Sequence, residues 1–389
     1  MNIALCYQTV LPARGGCETY IAGLARRLAA DGHEVHLYAC QWDTTALPAT
    51  VCCHALPVAA GPRFLRPWRF AAACARALDG AGHDVSVGFD KIWGLDVMYP
   101  QGGLHAASAE HNLLKYDNAL LRGLARLAKA VDVAHWSYHR LERRQYLGPD
   151  RPLVVAISQM VGRQFEHYYG IEPSRVRVVP CATDTNRFNR PDRPKLRLEW
   201  RRRCGIGSQD PVGLFISMNY RLKGLAPLLH AVRRLPPGKR FRLLVVGNPK
   251  TERYERLARR LGIADRVSFV GPCRDIERCY FASDFLVHPT FYDAFSLVVL
   301  EALACGLPVI TTANAGASEL LHPPDDGYVI ADPHDHDLLA WCMLQLLDPE
   351  RRAARAQAAR QAASRWTFED HYRQMLQVFA EAAARKQAA

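Results

Sequence analysis

The stretch His288 to Leu321, HPTFYDAFSLVVLEALACGLPVITTANAGASELL, constrains the fold more than any other. An apolar run, Asp284 to Val287, reads as a buried strand leading into it. A loop with Asp293 follows, then Ser296 at a helix start and a helical run to Cys305. Gly306 stops that helix, and Val309 to Thr312 is the next strand. A strand–loop–helix–strand unit of this kind belongs to a parallel sheet and puts its loop at the carboxyl edge, where α/β folds bind ligands. The first turn of the helix, Ser296, Leu297 and Val298, suits an anion, because free N–H groups and the helix dipole point outward there. Asp293 and Glu301 add two carboxylates to the same loop and helix.

The rest of the second half repeats the rhythm. Strands are expected at Val212–Ser217, Phe241–Val246, Val267–Val270 and Tyr328–Ile330. Helices are expected at Leu225–Arg234, Glu252–Leu261 and Ile276–Ala282, which together argue for a doubly wound parallel sheet. The first half begins similarly. Asn2–Tyr7 reads as a buried strand, Cys17–Ala30 as a helix with Ile21, Leu24, Ala25 and Leu28 on one face, and Val35–Ala39 as a strand. The loop between the first two carries Gly15–Gly16, which fits either a plain turn or a close backbone approach to a phosphate or sugar. Further strands are expected at Asp84–Phe89, Leu153–Ile157 and Val176–Val179. His105 follows a strand and the pair Gly102–Gly103, a position open to a structural or a functional role.

A length of 389 residues fits about two domains. The expected division is 1–188, 189–366 and a tail helix, 367–389, crossing back to the first domain. A net charge of +12 favours anionic partners. The twelve cysteines include no C-x-x-C pair, which points to reduced thiols in the cytoplasm rather than disulfides or zinc. The N-terminus lacks a signal-peptide pattern, and no apolar run reaches the ~20 residues of a membrane span. Two segments are basic, aromatic and amphipathic: Pro62–Leu78 and Leu113–Leu147. They read as solvated helices or as a surface for an anionic leaflet, where each nearby Lys or Arg contributes roughly 1 kcal/mol.

Arg221 and Lys223 follow the strand ending at Ser217, at the carboxyl edge, where cations can neutralise a diphosphate leaving group. Gly271, in Gly271–Pro272–Cys273–Arg274, ends another strand there and can hold a flat base by its backbone. No nucleic-acid-binding module is recognisable, only net charge.

The run Asp293-A-F-S-L-V-V-L-Glu301, with ALACGLPVITT and Gly316-A-S-Glu319, resembles glycosyltransferase family 4, whose pattern is an acid, seven residues and a Glu. The resemblance extends to Gly15–Gly16, Lys223–Gly224, Gly271 and PCATDTNRF (180–188), nearly the whole chain. GFDKIWGLDVMY and LKGL resemble the lipopolysaccharide-core glucosyltransferase branch most. It implies the GT-B fold: two Rossmann-like α/β domains with parallel sheets facing a central cleft. It also implies metal-independent, retaining transfer of a hexose from a nucleotide-sugar, a UDP-sugar, to a glycan or glycolipid such as lipopolysaccharide core, with no cofactor. Carried over, Glu301 holds the ribose, and Asp293 contacts the donor sugar. Lys223 with Arg221 holds the diphosphate, beside the backbone at Ser296–Val298. Gly15, Gly16, Gly271 and Arg274 line the donor, and His105 lies near the transferred sugar. Two positions depart from the pattern: Asp293 replaces the usual Glu, and Met218 stands where many relatives have Arg. A nucleotide-sugar epimerase and a non-catalytic nucleotide-sugar-binding protein are the alternatives. The expected location is the cytoplasm, peripheral on the inner membrane face.

Overall fold

The computed structural model describes residues 1–188 and 190–388; the expected domain start at 189 and the tail's last residue, 389, lie outside the described residues. The chain forms two compact units. The first comprises Met1–Glu110, Asn118–Pro180 and Glu369–Ala389, and the second His111–Asp117 and Cys181–Phe368.

The main sheet of the first unit has seven strands among the described residues: β1 (Asn2–Cys6), β2 (Glu34–Ala39), β3 (Cys52–Ala55), β4 (Val85–Gly88), β5 (Val97–Met98), β6 (Leu153–Ala156) and β7 (Val176–Val178). All pair in parallel, in the order β3-β2-β1-β4-β5-β6-β7. The order reverses between β1 and β4, so the loops after these strands flank a switch point, the usual ligand position of such a sheet. Its helices are α1 (Gly16–Ala30), α2 (Arg66–Leu78), α3 (His105–His111), α4 (Ala119–Ala130), α5 (Val133–Leu147) and α6 (Gln159–Tyr169). Ile21, Leu24, Ala25 and Leu28 of α1 are fully buried, as their spacing requires. The strands β3 and β5 were not among the expected ones. Leu113–Leu147 is not one continuous helix: Asp132 caps α5 by accepting from the Ala134 N–H, which breaks the run after α4.

The second unit carries β8 (Val212–Ser217), β9 (Arg242–Gly247), β10 (Val267–Gly271), β11 (Phe285–His288), β12 (Val309–Thr312) and β13 (Gly327–Ile330). Their order is β10-β9-β8-β11-β12-β13, all parallel. Leu243 to Val246 are fully buried, the continuous apolar run of a strand covered on both faces. The covering helices are α7 (Arg193–Arg203), α8 (Leu225–Arg234), α9 (Glu252–Arg260), α10 (Ile276–Ala282), α11 (Leu297–Ala304), α12 (His336–Leu347) and α13 (Pro349–Ser364). The Asp335 side chain caps α12 by accepting from the Leu338 N–H, so Asp335-His336-Asp337 is a helix start.

The last helix, α14 (Phe368–Gln387), packs within the first unit. His371, buried in it, donates from Nδ1 to the Pro180 carbonyl and accepts the Tyr20 hydroxyl at Nε2, 2.7 Å away. Glu381 pairs with Arg177 at 2.7 Å.

Candidate active site

In the second unit the strand order reverses between β8 and β11. The loops after these two strands carry Lys223 and Asp293, so the topology alone brings together residues seventy apart in sequence. Gly224 makes the approach possible. It has φ +79, and a Cβ there would lie 2.0 Å from the Pro289 carbonyl oxygen. The Phe291 N–H donates to the Leu222 carbonyl and pins the two loops side by side.

Lys223 Nζ lies 2.6 Å from Asp293 Oδ2 and donates to the Tyr292 carbonyl at 2.9 Å. His288, buried at the end of β11, places Nε2 3.4 Å from the same Oδ2. Its Nδ1 is buried without a partner among the described residues, so a proton on Nε2 lets the ring donate to Asp293. Burial pushes the Asp293 carboxyl up, but the Lys223 charge and the His288 hydrogen bond outweigh it and hold the group well below the usual carboxylate range. Burial, with Lys223 adding to it, keeps His288 below the usual histidine range. The result is a fixed anion beside a cation.

Ser296 precedes α11 in the left-handed region, φ 82, and makes no capping hydrogen bond. Its hydroxyl is buried and unpartnered among the described residues. The N–H groups of Leu297 and Val298 open the helix, whose first turn has no intrahelical acceptors. Glu301 faces a different neighbourhood on the same helix. Tyr280 of α10 donates its hydroxyl to Glu301 Oε2 at 2.6 Å. Burial lifts the Glu301 carboxyl to about 7, against the opposing effects of Tyr280 and Arg187.

Arg221 is exposed, its guanidinium 4.5 Å from the centre of the Tyr116 ring. Tyr116 belongs to the segment His111–Asp117 that joins the second unit. His334 donates to the Leu114 carbonyl of the same segment. Gly271 ends β10 and Arg274 is exposed beyond it. In the first unit Gly15 is extended ahead of α1, and Gly16 is that helix's first residue, in the loop after β1. His105 opens α3. Its ring Nε2 lies 3.1 Å from His135 Nδ1, and burial lowers it to about 4, which keeps the ring neutral at pH 7. Glu142 accepts the His105 and Ala106 N–H groups, so a side chain already fills that helix start.

The structure therefore joins Lys223 with Asp293 and adds His288, while Glu301 sits with Tyr280. Sequence reasoning missed His288, Tyr280 and Glu142. His288 looked like the mere end of a strand, and the other two reveal themselves only through helix packing.

Residues 14–187 match the family model "Glycosyltransferase Family 4", and residues 197–363 match "Glycosyl transferases group 1". A D-inositol 3-phosphate glycosyltransferase of Thermomonospora curvata is 30% identical over 380 residues, 88% of this chain and 85% of that one. The chain belongs to glycosyltransferase family 4. The lipopolysaccharide glucosyltransferase WaaG of Escherichia coli K12 is 28% identical over 342 residues, 87% of each chain. The crystal structure of WaaG superposes with a TM-score of 0.77 at 26% identity, covering 98% of both chains. The fold extends to Anabaena HepE in complex with UDP-glucose, at a TM-score of 0.71 and 19% identity, covering 98% of this chain and 100% of that one. The protein is a glycosyltransferase with two Rossmann-like α/β domains of the GT-B type. The two alternatives, epimerase and non-catalytic binder, give way to this assignment.

Proposed function

We propose that this family 4 enzyme transfers a hexose from a UDP-sugar, with retention, to a glycolipid of the lipopolysaccharide-core type. The observation that carries the reading is the meeting of Lys223, Asp293 and an uncapped helix start at one switch point. The glucosyltransferase activity named for WaaG supports the acceptor class. As the glycosidic bond to the diphosphate breaks, negative charge grows on the leaving group. Lys223 Nζ and the N–H groups of Leu297 and Val298 offset it, with Arg221 joining when it leaves Tyr116. Asp293, kept ionised, accepts hydrogen bonds from the sugar hydroxyls. Glu301 accepts from the ribose. Gly271 and Arg274 flank the base and diphosphate. The first unit binds the acceptor and offers Gly15, Gly16 and a neutral His105 to the donor, and the second unit holds the nucleotide-sugar. No metal enters this scheme. Thermal protection by a panel of nucleotide-sugars tests it: protection by UDP-sugars above all others is expected, and protection by none contradicts it.

The enzyme works, in this reading, on the inner face of an anionic membrane. Helix α4 has no buried residue. Leu120, Leu124, Leu127 and Val131 recur on one face and are 55–80% exposed, with Arg122, Arg126 and Lys129 around the other side. Trp136 of α5 is 62% exposed. No helix among the described residues is long and apolar enough to cross a membrane. The charged double variant Leu124→Asp/Leu127→Asp is expected to abolish co-sedimentation with anionic vesicles while UDP binding is kept. Unchanged vesicle binding overturns this part.

A further inference from the structure

Glu301 has two carboxylate oxygens with different surroundings. Oε2 accepts the Tyr280 hydroxyl at 2.6 Å. Oε1 has no hydrogen-bond partner among the described residues and is not sealed from solvent. Tyr280 is itself immobile: it is fully buried, and its ring meets Phe188 edge-on, centroids 5.6 Å apart at 86°. A rigid phenol on one oxygen restricts the carboxylate and leaves the other oxygen free to accept from a ligand.

We propose that Tyr280 is a positioning residue for ribose recognition: it orients Glu301 so that Oε1 receives the ribose hydroxyls of the donor. The inference rests on the donor-site reading above and deepens it. Among the described residues the Tyr280 hydroxyl makes one hydrogen bond, to Glu301. A buried hydroxyl with one acceptor cannot rotate to another partner, so the carboxylate keeps a single orientation.

Charge at the site adds a second readout. The groups acting on Glu301 are Tyr280 and Glu277 from α10 and Arg187 from the turn Thr185–Phe188, with Cys181 and Cys305 close by. Arg187 is paired with Glu277. Tyr280 and Arg187 lower the carboxyl, and burial with Glu277 raises it. A ribose diol donates hydrogen bonds, which the ionised form accepts more strongly. Affinity for a ribonucleotide therefore rises as pH passes upward through about 7. Loss of the Tyr280 hydrogen bond moves that rise to higher pH.

The test is calorimetric binding of UDP and 2′-deoxy-UDP, with the GDP and ADP pairs beside them, to the full chain and to Tyr280→Phe. The change removes one oxygen and conserves volume, so the fold persists. The wild type is expected to prefer the ribonucleotide by roughly tenfold, the size of one charged hydrogen bond. In Tyr280→Phe the preference collapses toward one while 2′-deoxynucleotide affinity is unchanged, and the pH midpoint rises. Glu301→Gln removes the preference as well, and the double variant loses nothing more. A packing role alone weakens both nucleotides equally, and that result, or an unmoved ratio, overturns the inference. A wild type that binds none of the nucleoside diphosphates contradicts the donor-site reading itself.

Discussion

Replacing Glu301 by Gln should make the free enzyme more stable at pH 8 and leave it unchanged at pH 4. Burial lifts this carboxyl from 4.5, the ordinary glutamate value, to about 7. Between those values the folded protein holds a proton that the unfolded chain has released. Stability contributed by the protonated form is complete below pH 4.5 and is lost as pH rises through 7. The difference of about 2.5 in pKa, at ~1.4 kcal/mol each, amounts to about 3.5 kcal/mol as an upper figure. Partial access of Oε1 to water reduces this to about 1–3 kcal/mol. A melting difference of roughly 5 °C is then expected at pH 8 for a unit of this size. Melting curves of both proteins from pH 4 to 9, without nucleotide, read this directly, and every other titrating group cancels between them. The curves should meet toward pH 4, separate between about pH 4.5 and 7 and stay apart by a constant amount above that, with Gln the more stable. A constant offset across the range refutes the reasoning, as does a wild type that gains on Gln as pH rises. The same substitution weakens nucleotide binding, so the site trades stability for recognition.

Lys223→Ala leaves Asp293 partly buried without its cation, with only the 3.4 Å His288 contact on that oxygen, which should cost about 1–3 kcal/mol in urea unfolding and lower kcat more than it raises KM. Ser296→Gly relieves the left-handed backbone and the unpartnered hydroxyl, so the melting temperature should rise, with a gain of up to about 1 kcal/mol. Gly224→Ala drives a Cβ into the Pro289 carbonyl at positive φ; a loss of about 2 kcal/mol or more and a displaced Lys223 are expected, read by unfolding and by turnover.

The parallel sheet of the second unit was legible because strands buried on both faces are continuous apolar runs, as at Leu243–Val246. The strand β3 escaped because CCHA is polar and partly exposed, and β5 because two residues carry no period. The two carboxylates and the helix start were legible from the stretch 288–321, and Lys223 from the loop after the strand ending at Ser217. Their partnerships were not. Lys223 meets Asp293 only because β8 and β11 are neighbours across the reversal of strand order, which no local pattern encodes. The Tyr280 hydroxyl reaches Glu301 only through the packing of α10 beside α11. The amphipathic segment was visible, but its break at Asp132 was hidden in an irregular basic run.

The most direct measurement is the anomeric configuration of the product formed from an α-linked UDP-hexose and a lipopolysaccharide-core acceptor, read by NMR coupling. An α-linked product, lost in Lys223→Ala, is the predicted result. A β-linked product, or a donor that is epimerised with nothing transferred, contradicts the account.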